Sequence, residues 1–244
     1  MERRDFVNDK LTLIQNTDGL TFGTDALLLA GYVSAKYKRG CELGGGSGII
    51  SMLLLTREKL DECVVLEVQE EYAILASRNA ENNGLTSRLT SVCTDLRDYK
   101  CESEFDLIYT NPPYMKATSG KMCDADKKSI ARHEIHGTIE DFCLSASKML
   151  KYGGTFAVVY RPDRLCDLMA AMRAARIEPK RATFVHADTE SEPSMVLMIG
   201  KAGGKSGMTL TRPLIIYEDK AHKKYSADME YIMENGSFPT YYKR

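Results

Sequence analysis

From Cys41 onward the apolar positions of the chain fall into short runs separated by stretches with helical periodicity. The runs near 40–43, 62–67, 89–93, 105–110 and 154–160 are rich in Val, Ile, Leu and aromatic residues and read as strands. The intervening segments 48–60, 70–83, 139–150 and 163–175 repeat their apolar residues at helical spacing. This alternation predicts an α/β fold, Rossmann-like, with a mostly parallel sheet and helices on both faces. After Pro179 the rhythm changes. Arg181 to His186 and Met195 to Lys201 are two strand-like runs joined only by an Asp188 to Pro193 loop, too short for a right-handed crossover. A seven-stranded sheet ending in an antiparallel C-terminal pair is therefore expected. Ahead of the core, residues 9–16 alternate weakly and meet the turn signal Thr17-Asp18-Gly19 before Leu20-Thr21-Phe22, which predicts a short hairpin. Thr24 is the expected N-cap of a helix running from Asp25 to Tyr37, with Asp25 in the first turn where the macrodipole favours an acid. The chain divides into a hairpin and helix at 1–38, a core at 39–202 and a basic extension at 203–244.

Composition narrows the class without naming a partner. The 244 residues are 43% hydrophobic and 27% charged, which fits a soluble globular protein and excludes a disordered chain or coiled coil. Lysine and arginine number 33 against 34 acids, so any nucleic-acid surface must be local. The seven cysteines include no C-x-x-C pair and read as reduced thiols, which places the protein in the cytoplasm. Neither a signal segment nor a membrane-spanning run is present. His133 and His136 have no second clustered pair, so no metal is expected. The oligomeric state is left open, with a monomer favoured.

Three features at strand ends carry the chemistry. Glu42-Leu43-Gly44-Gly45-Gly46-Ser47-Gly48 sits where a strand hands over to a helix, and its glycines allow a tight turn close to a ligand. The spacing Gly44-x-Gly46-x-Gly48 is one residue shorter than the dinucleotide fingerprint, and an acid beside it would repel phosphate while suiting an ammonium group. Glu67, at the end of the next strand, is placed to accept from both hydroxyls of an adenosine ribose. Asp95 holds the corresponding place on the third strand and suits either an adenine amino group or a turn. Asn111-Pro112-Pro113-Tyr114 then follows the strand 105–110. The Asn side-chain oxygen and the carbonyl of Pro112 can accept both hydrogens of a planar amine, which frees its lone pair to attack a methyl sulfonium. The prolines, Pro113 included, hold those acceptors still, and Tyr114 offers a face on which a base can stack.

On these residues the chain resembles the S-adenosylmethionine-dependent methyltransferases of exocyclic amines. With Phe22-Gly23-Thr24-Asp25-Ala26-Leu27-Leu28-Leu29-Ala30, Ala131-Arg132-His133-Glu134 and Arg212-Pro213-Leu214-Ile215-Ile216-Tyr217, it is similar to the bacterial valine-tRNA adenine-37 N6-methyltransferase family. The resemblance implies a class I methyltransferase fold and S-adenosylmethionine as cofactor. It implies that Phe22, Gly23 and Thr24 lie against the methionine part of that cofactor, and that the substrate is a tRNA adenine. Glu42 stands where the wider group often has Asp.

A tRNA partner needs cations. Residues 201–224 hold Lys201, Lys205, Arg212, Lys220, Lys223 and Lys224 against Glu218 and Asp219, while 173–181 hold Arg173, Arg176, Lys180 and Arg181 against Glu178. The segment 115–136 adds Lys116, Lys121, Lys127, Lys128 and Arg132 and is long enough to act as a flap. Lys116, Lys121, Arg132, Lys205, Lys223 and Lys224 are the expected RNA contacts. Two other readings stay open: methylation of a protein glutamine, whose carboxamide presents the same planar NH2, and a non-catalytic RNA-binding module of the same fold.

Overall fold

The computed structural model describes residues 2–16, 23–113 and 137–243. Its centre is a sheet built from β3 (Tyr37–Leu43), β4 (Leu60–Glu67), β5 (Leu89–Cys93), β6 (Phe105–Thr110), β7 (Leu150–Tyr160), β8 (Ile177–His186) and β9 (Pro193–Ala202). They lie in the order β5-β4-β3-β6-β7-β9-β8. All are parallel except β9, which runs antiparallel to both β7 and β8. The parallel sheet closed by an antiparallel pair is thus as the sequence predicts. Two further strands, β10 (Thr209–Leu210) and β11 (Leu214–Ile215), pair with the outer edge of β8 and make nine. Each is only two residues long, too short to leave an alternating pattern.

Helices α2 (Ile49–Thr56), α3 (Glu70–Asn82), α4 (Ile139–Met149) and α5 (Leu165–Ala174) cover the sheet. One apolar cluster on one face joins Leu53, Leu54 and Val65 with Leu107 and Val159, and a second on the other joins Leu43 and Leu66 with Phe142, Phe156 and Met172. Thr138 opens α4 with a reciprocal capping box to Asp141.

The N-terminal region departs from expectation. Its described hairpin joins β1 (Glu2–Asn8) to β2 (Leu11–Asn16), turning at Asp9-Lys10, which the sequence reading did not pick out. β1 is polar and largely exposed, so no apolar alternation announces it, and the turn is held locally by the Lys10 amide donating to Asn8 Oδ1 at 2.9 Å. Thr17 to Phe22, the expected second arm, lies outside the described residues. The free edge of β2 is paired by side chains. Asn79 exchanges hydrogen bonds with the Ile14 N–H and C=O at 2.7 and 3.1 Å, and Asn83 does the same with Thr12 at 2.9 and 2.7 Å. Two residues of strand and four of helix advance by similar distances, about 6 to 7 Å, so asparagines one turn apart on α3 can stand in for a partner strand.

Helix α1 (Thr24–Tyr32) has Gly23 as its N-cap instead of Thr24 and stops short of Tyr37. Tyr37 instead opens β3, pairing with Leu60 in register and donating its hydroxyl to Thr155 Oγ1. Lys59 closes the helix by donating to the carbonyls of Ala30 and Gly31. The far end of the chain packs on the same helix. After α6 (Ala227–Asn235), Phe238 donates its amide to Gly31 O and sets its ring edge-on to Tyr32, and Tyr242 follows against Phe238. A Cβ on Gly31 would lie 3.4 Å from both Ile232 and Phe238, which places the helix backbone close against these two side chains.

Candidate active site

Strand order reverses between β3 and β6, and ligands of open α/β sheets bind at such a switch point, beyond the carboxyl ends of the strands. Gly44 follows β3, Asn111 follows β6 and Glu67 ends β4, so the three motifs meet on one edge. Thr110 Oγ1 donates to Leu43 O at 2.8 Å and ties the tips of β6 and β3 together.

Gly44, Gly46 and Gly48 all adopt positive φ, 64°, 53° and 78°, the left-handed region that glycine enters without strain. Gly45 is required by space, because a Cβ there would lie 2.3 Å from Val65 Cγ1. A Cβ on Gly46, by contrast, would meet nothing within 4 Å, so this part of the loop faces open space. The buried Glu67 carboxylate holds the loop: Oε2 accepts the Gly46 amide and Oε1 the Gln69 amide, both at 2.9 Å. A carboxylate offers about four acceptor directions, so two remain for a pair of hydroxyls.

Glu42 does not stand at the mouth of the loop as expected of an ammonium partner. It is buried, with Oε2 accepting the Ser51 amide at 3.0 Å and the Ser51 hydroxyl at 2.5 Å. Ser51 Oγ in turn lies 2.6 Å from the Tyr109 hydroxyl. Burial pushes the Glu42 carboxyl up to about 8, and its hydrogen bonds with Ser51 hold it as a strut beneath Gly45. Asp95 closes a local turn with Arg97 at the end of β5. Oδ1 accepts the Arg97 amide at 2.8 Å, and both oxygens take the Arg97 guanidinium, which holds the carboxyl below its ordinary range.

Asn111 has a partner that the sequence did not suggest. Its Nδ2 donates to Asp25 Oδ2 at 2.7 Å, joining β6 to the first turn of α1 across 86 positions of chain. Asp25 Oδ1 accepts the Ala26 amide, and a Cβ on Gly23 would fall 2.7 Å from that oxygen. Gly23 therefore makes room for Asp25. Pro112 and Pro113 line one wall of a cleft of about 130 Å³, whose other walls include Phe142, Tyr160, Arg161 and Arg164. Arg161 pairs with Asp163 at 2.6 Å, and Arg164 with Asp167. Asp25, Ser51, Asn79, Tyr160 and the two arginines escaped the sequence reading, because each sits in an ordinary helix or strand end and only the fold brings it to the site. Asn79 also donates to Ser47 O, linking the hairpin to the glycine loop.

The cations expected to meet RNA are scattered. Lys116, Lys121, Arg132, Phe22 and Tyr114 lie outside the described residues. Lys205 follows β9, whose last residue Ala202 pairs with Ile177 at the start of β8. It thus occupies the opposite edge of the sheet from Asn111, together with the 173–181 segment. A ten-residue strand spans about 33 Å, so Lys205 lies about that far along the sheet from Asn111. Lys223 and Lys224 follow β11, on the same edge as Asn111, although Lys224 is paired with Glu218. Arg212 is spent on Asp228 and stacks over Tyr241.

Residues 16–175 match the family model described as the methyltransferase small domain. A tRNA1(Val) (adenine(37)-N6)-methyltransferase of Bacteroides thetaiotaomicron is 30% identical over 63% of this chain and 65% of its own length. The protein of that name from Dyadobacter fermentans is 23% identical over 86% of this chain and 87% of its own. Among solved structures, a predicted O-methyltransferase of Agrobacterium tumefaciens superposes with a TM-score of 0.72 at 21% identity, covering 88% of this chain and 98% of that one.

Proposed function

Because this chain belongs to the methyltransferase small-domain family, we propose that it methylates N6 of an adenine in tRNA, the target being adenine 37 of a valine tRNA. The observation that carries the reading is the placement of Asn111-Pro112-Pro113 across the switch point from the glycine loop. The names of the relatives support the choice of substrate.

S-adenosylmethionine, the cofactor of this chemistry, supplies an electrophilic methyl group on a sulfonium when bound. Glu67 suits its ribose, because two acceptor directions remain on a carboxylate already fixed by two backbone amides. The open face of Gly46 leaves room for the cofactor, while Asp95 and the segment from Phe22 to Thr24 are proposed for its adenine and methionine ends. Asn111 Oδ1 and the Pro112 carbonyl accept the two amine hydrogens. The nitrogen lone pair is thereby directed at the methyl carbon. Asn111 Oδ1 and the Pro112 carbonyl hold the nitrogen in line with the methyl group that S-adenosylmethionine would supply for the new N–C bond, the sulfur being kept as a thioether and one amine proton passing to solvent. No general base is needed at the amine, because preorganised acceptors do the work. Tyr114 and Tyr160 are proposed as surfaces for the base, and Arg161 and Arg164 as cations for its flanking phosphates.

The test is incubation of the purified protein with methyl-labelled S-adenosylmethionine and, separately, unmodified bacterial tRNA and a bacterial protein extract. Label recovered as N6-methyladenosine supports the reading, and its loss on changing A37 of the valine tRNA to G fixes the site. Label in protein glutamine instead would replace it.

A further inference from the structure

We propose that Asp25 is a positioning residue for Asn111, deciding which end of the Asn111 amide faces the amine to be methylated. The inference rests on the role proposed above for Asn111. An amide carries a donor end and an acceptor end of nearly the same size and shape, and only its surroundings choose between them. For methyl transfer the choice matters, since the target amine needs acceptors for its hydrogens. An amide turned the other way would present N–H to N–H.

Asp25 makes the choice. Asp25 Oδ2 accepts from Asn111 Nδ2 at 2.7 Å. With Nδ2 donating to Asp25, Asn111 Oδ1 is turned to the other branch of the same carbon. The carboxylate is itself held, by the Ala26 amide on Oδ1 and by its place in the first turn of α1, where the helix dipole favours negative charge. Gly23 completes the arrangement, because any side chain there would displace Asp25 Oδ1. Asp25 thus needs no contact with substrate to affect the rate.

Methyl transfer to unmodified tRNA, cofactor affinity and a double-mutant cycle test this together. Asp25→Ala is expected to lower kcat by about 10- to 100-fold, with the cofactor Kd within about twofold of the parent. Asp25→Asn keeps an oxygen that can accept Nδ2–H, and should recover most of the loss. In an Asn111→Ala background, Asp25→Ala should cost nothing further, which a merely structural role would not produce. A parental kcat for Asp25→Ala, or full multiplicative losses in the double variant, would overturn the inference while leaving the role of Asn111 standing. Parental kcat for Asn111→Ala would instead remove the proposed chemistry, and this inference with it. A readout independent of substrate is the Asn111 side-chain NH2 resonance in the 15N-labelled protein. One proton should exchange slowly in the parent and quickly in Asp25→Ala; fast exchange in both would reject the bond outright.

Discussion

The Glu67 carboxylate accepts the Gly46 amide at 2.9 Å, so the tip of one strand fixes the middle of the glycine loop leaving its neighbour. Its second oxygen is held by Gln69. In Glu67→Gln one end of the side chain becomes a donor facing a backbone donor. Charge-assisted bonds of this kind contribute about 1.5 to 3 kcal/mol. The cofactor Kd should therefore rise by about tenfold or more in isothermal titration, and an unchanged Kd would take Glu67 out of the ribose site.

Asn111 acts on the amine, not on the sulfonium. Asn111→Ala should lower single-turnover methyl transfer by about 100-fold or more while leaving cofactor affinity within about twofold. Loss of both in equal measure would place the residue in cofactor binding instead.

Glu42 gives the fold a pH dependence of unusual sign. Its carboxyl is raised by burial from 4.5 to about 8, so the folded protein keeps a proton that the unfolded chain releases above pH 4.5. The stability it contributes is full below the unfolded value, declines as pH rises toward about 8, and is constant above. Glu42→Gln preserves the acceptor for Ser51 and has no proton to lose. Urea midpoints of the two proteins should therefore separate steadily between pH 5 and pH 8, the variant becoming the more stable. A separation that does not change with pH would mean that Glu42 ionises as an ordinary carboxylate.

Asn79 satisfies both backbone groups of Ile14 and also donates to Ser47 O. Because it is fully buried, Asn79→Ala leaves these groups without their partner. The expected cost is about 2 to 3 kcal/mol, a fall in Tm of about 4 to 12 °C for a chain of this size. Proteolysis within residues 2–16 should quicken as well. A Tm unchanged within error would show that the hairpin contributes nothing to the core.

The parallel core was legible because each buried strand is a dense apolar run, and the antiparallel ending because the Asp188 to Pro193 connection is too short for anything else. The glycine loop, Glu67 and Asn111 were legible for a different reason: glycine, an acid and Asn-Pro-Pro are each unusual at strand ends. Asp25 looked like a routine first-turn acid, since nothing local distinguishes an acid that serves its own helix from one that also bonds a residue 86 positions away. β1 was missed because it is mostly polar and largely exposed, with only Val7 packed against the core. Glu42 misled for the opposite reason: an acid beside a glycine loop suggests an exposed charge, and only the packing of Ser51 and Tyr109 around it shows a buried one. The basic segments were counted by sequence proximity, whereas the sheet sends 173–181 and Lys205 to one edge and Lys223 and Lys224 to the other.

The seating of Phe238 and Tyr242 on α1 bears on how the protein is made. A ribosome releases Asp25 and its helix about two hundred residues before the surface that covers Gly31 and Tyr32. Through most of synthesis that helix has its partner sheet only in part, and its outer face stays uncovered. The helix carrying Asp25 thus gains its Phe238 and Tyr242 cover only after the strands and the glycine loop of the sheet have left the ribosome.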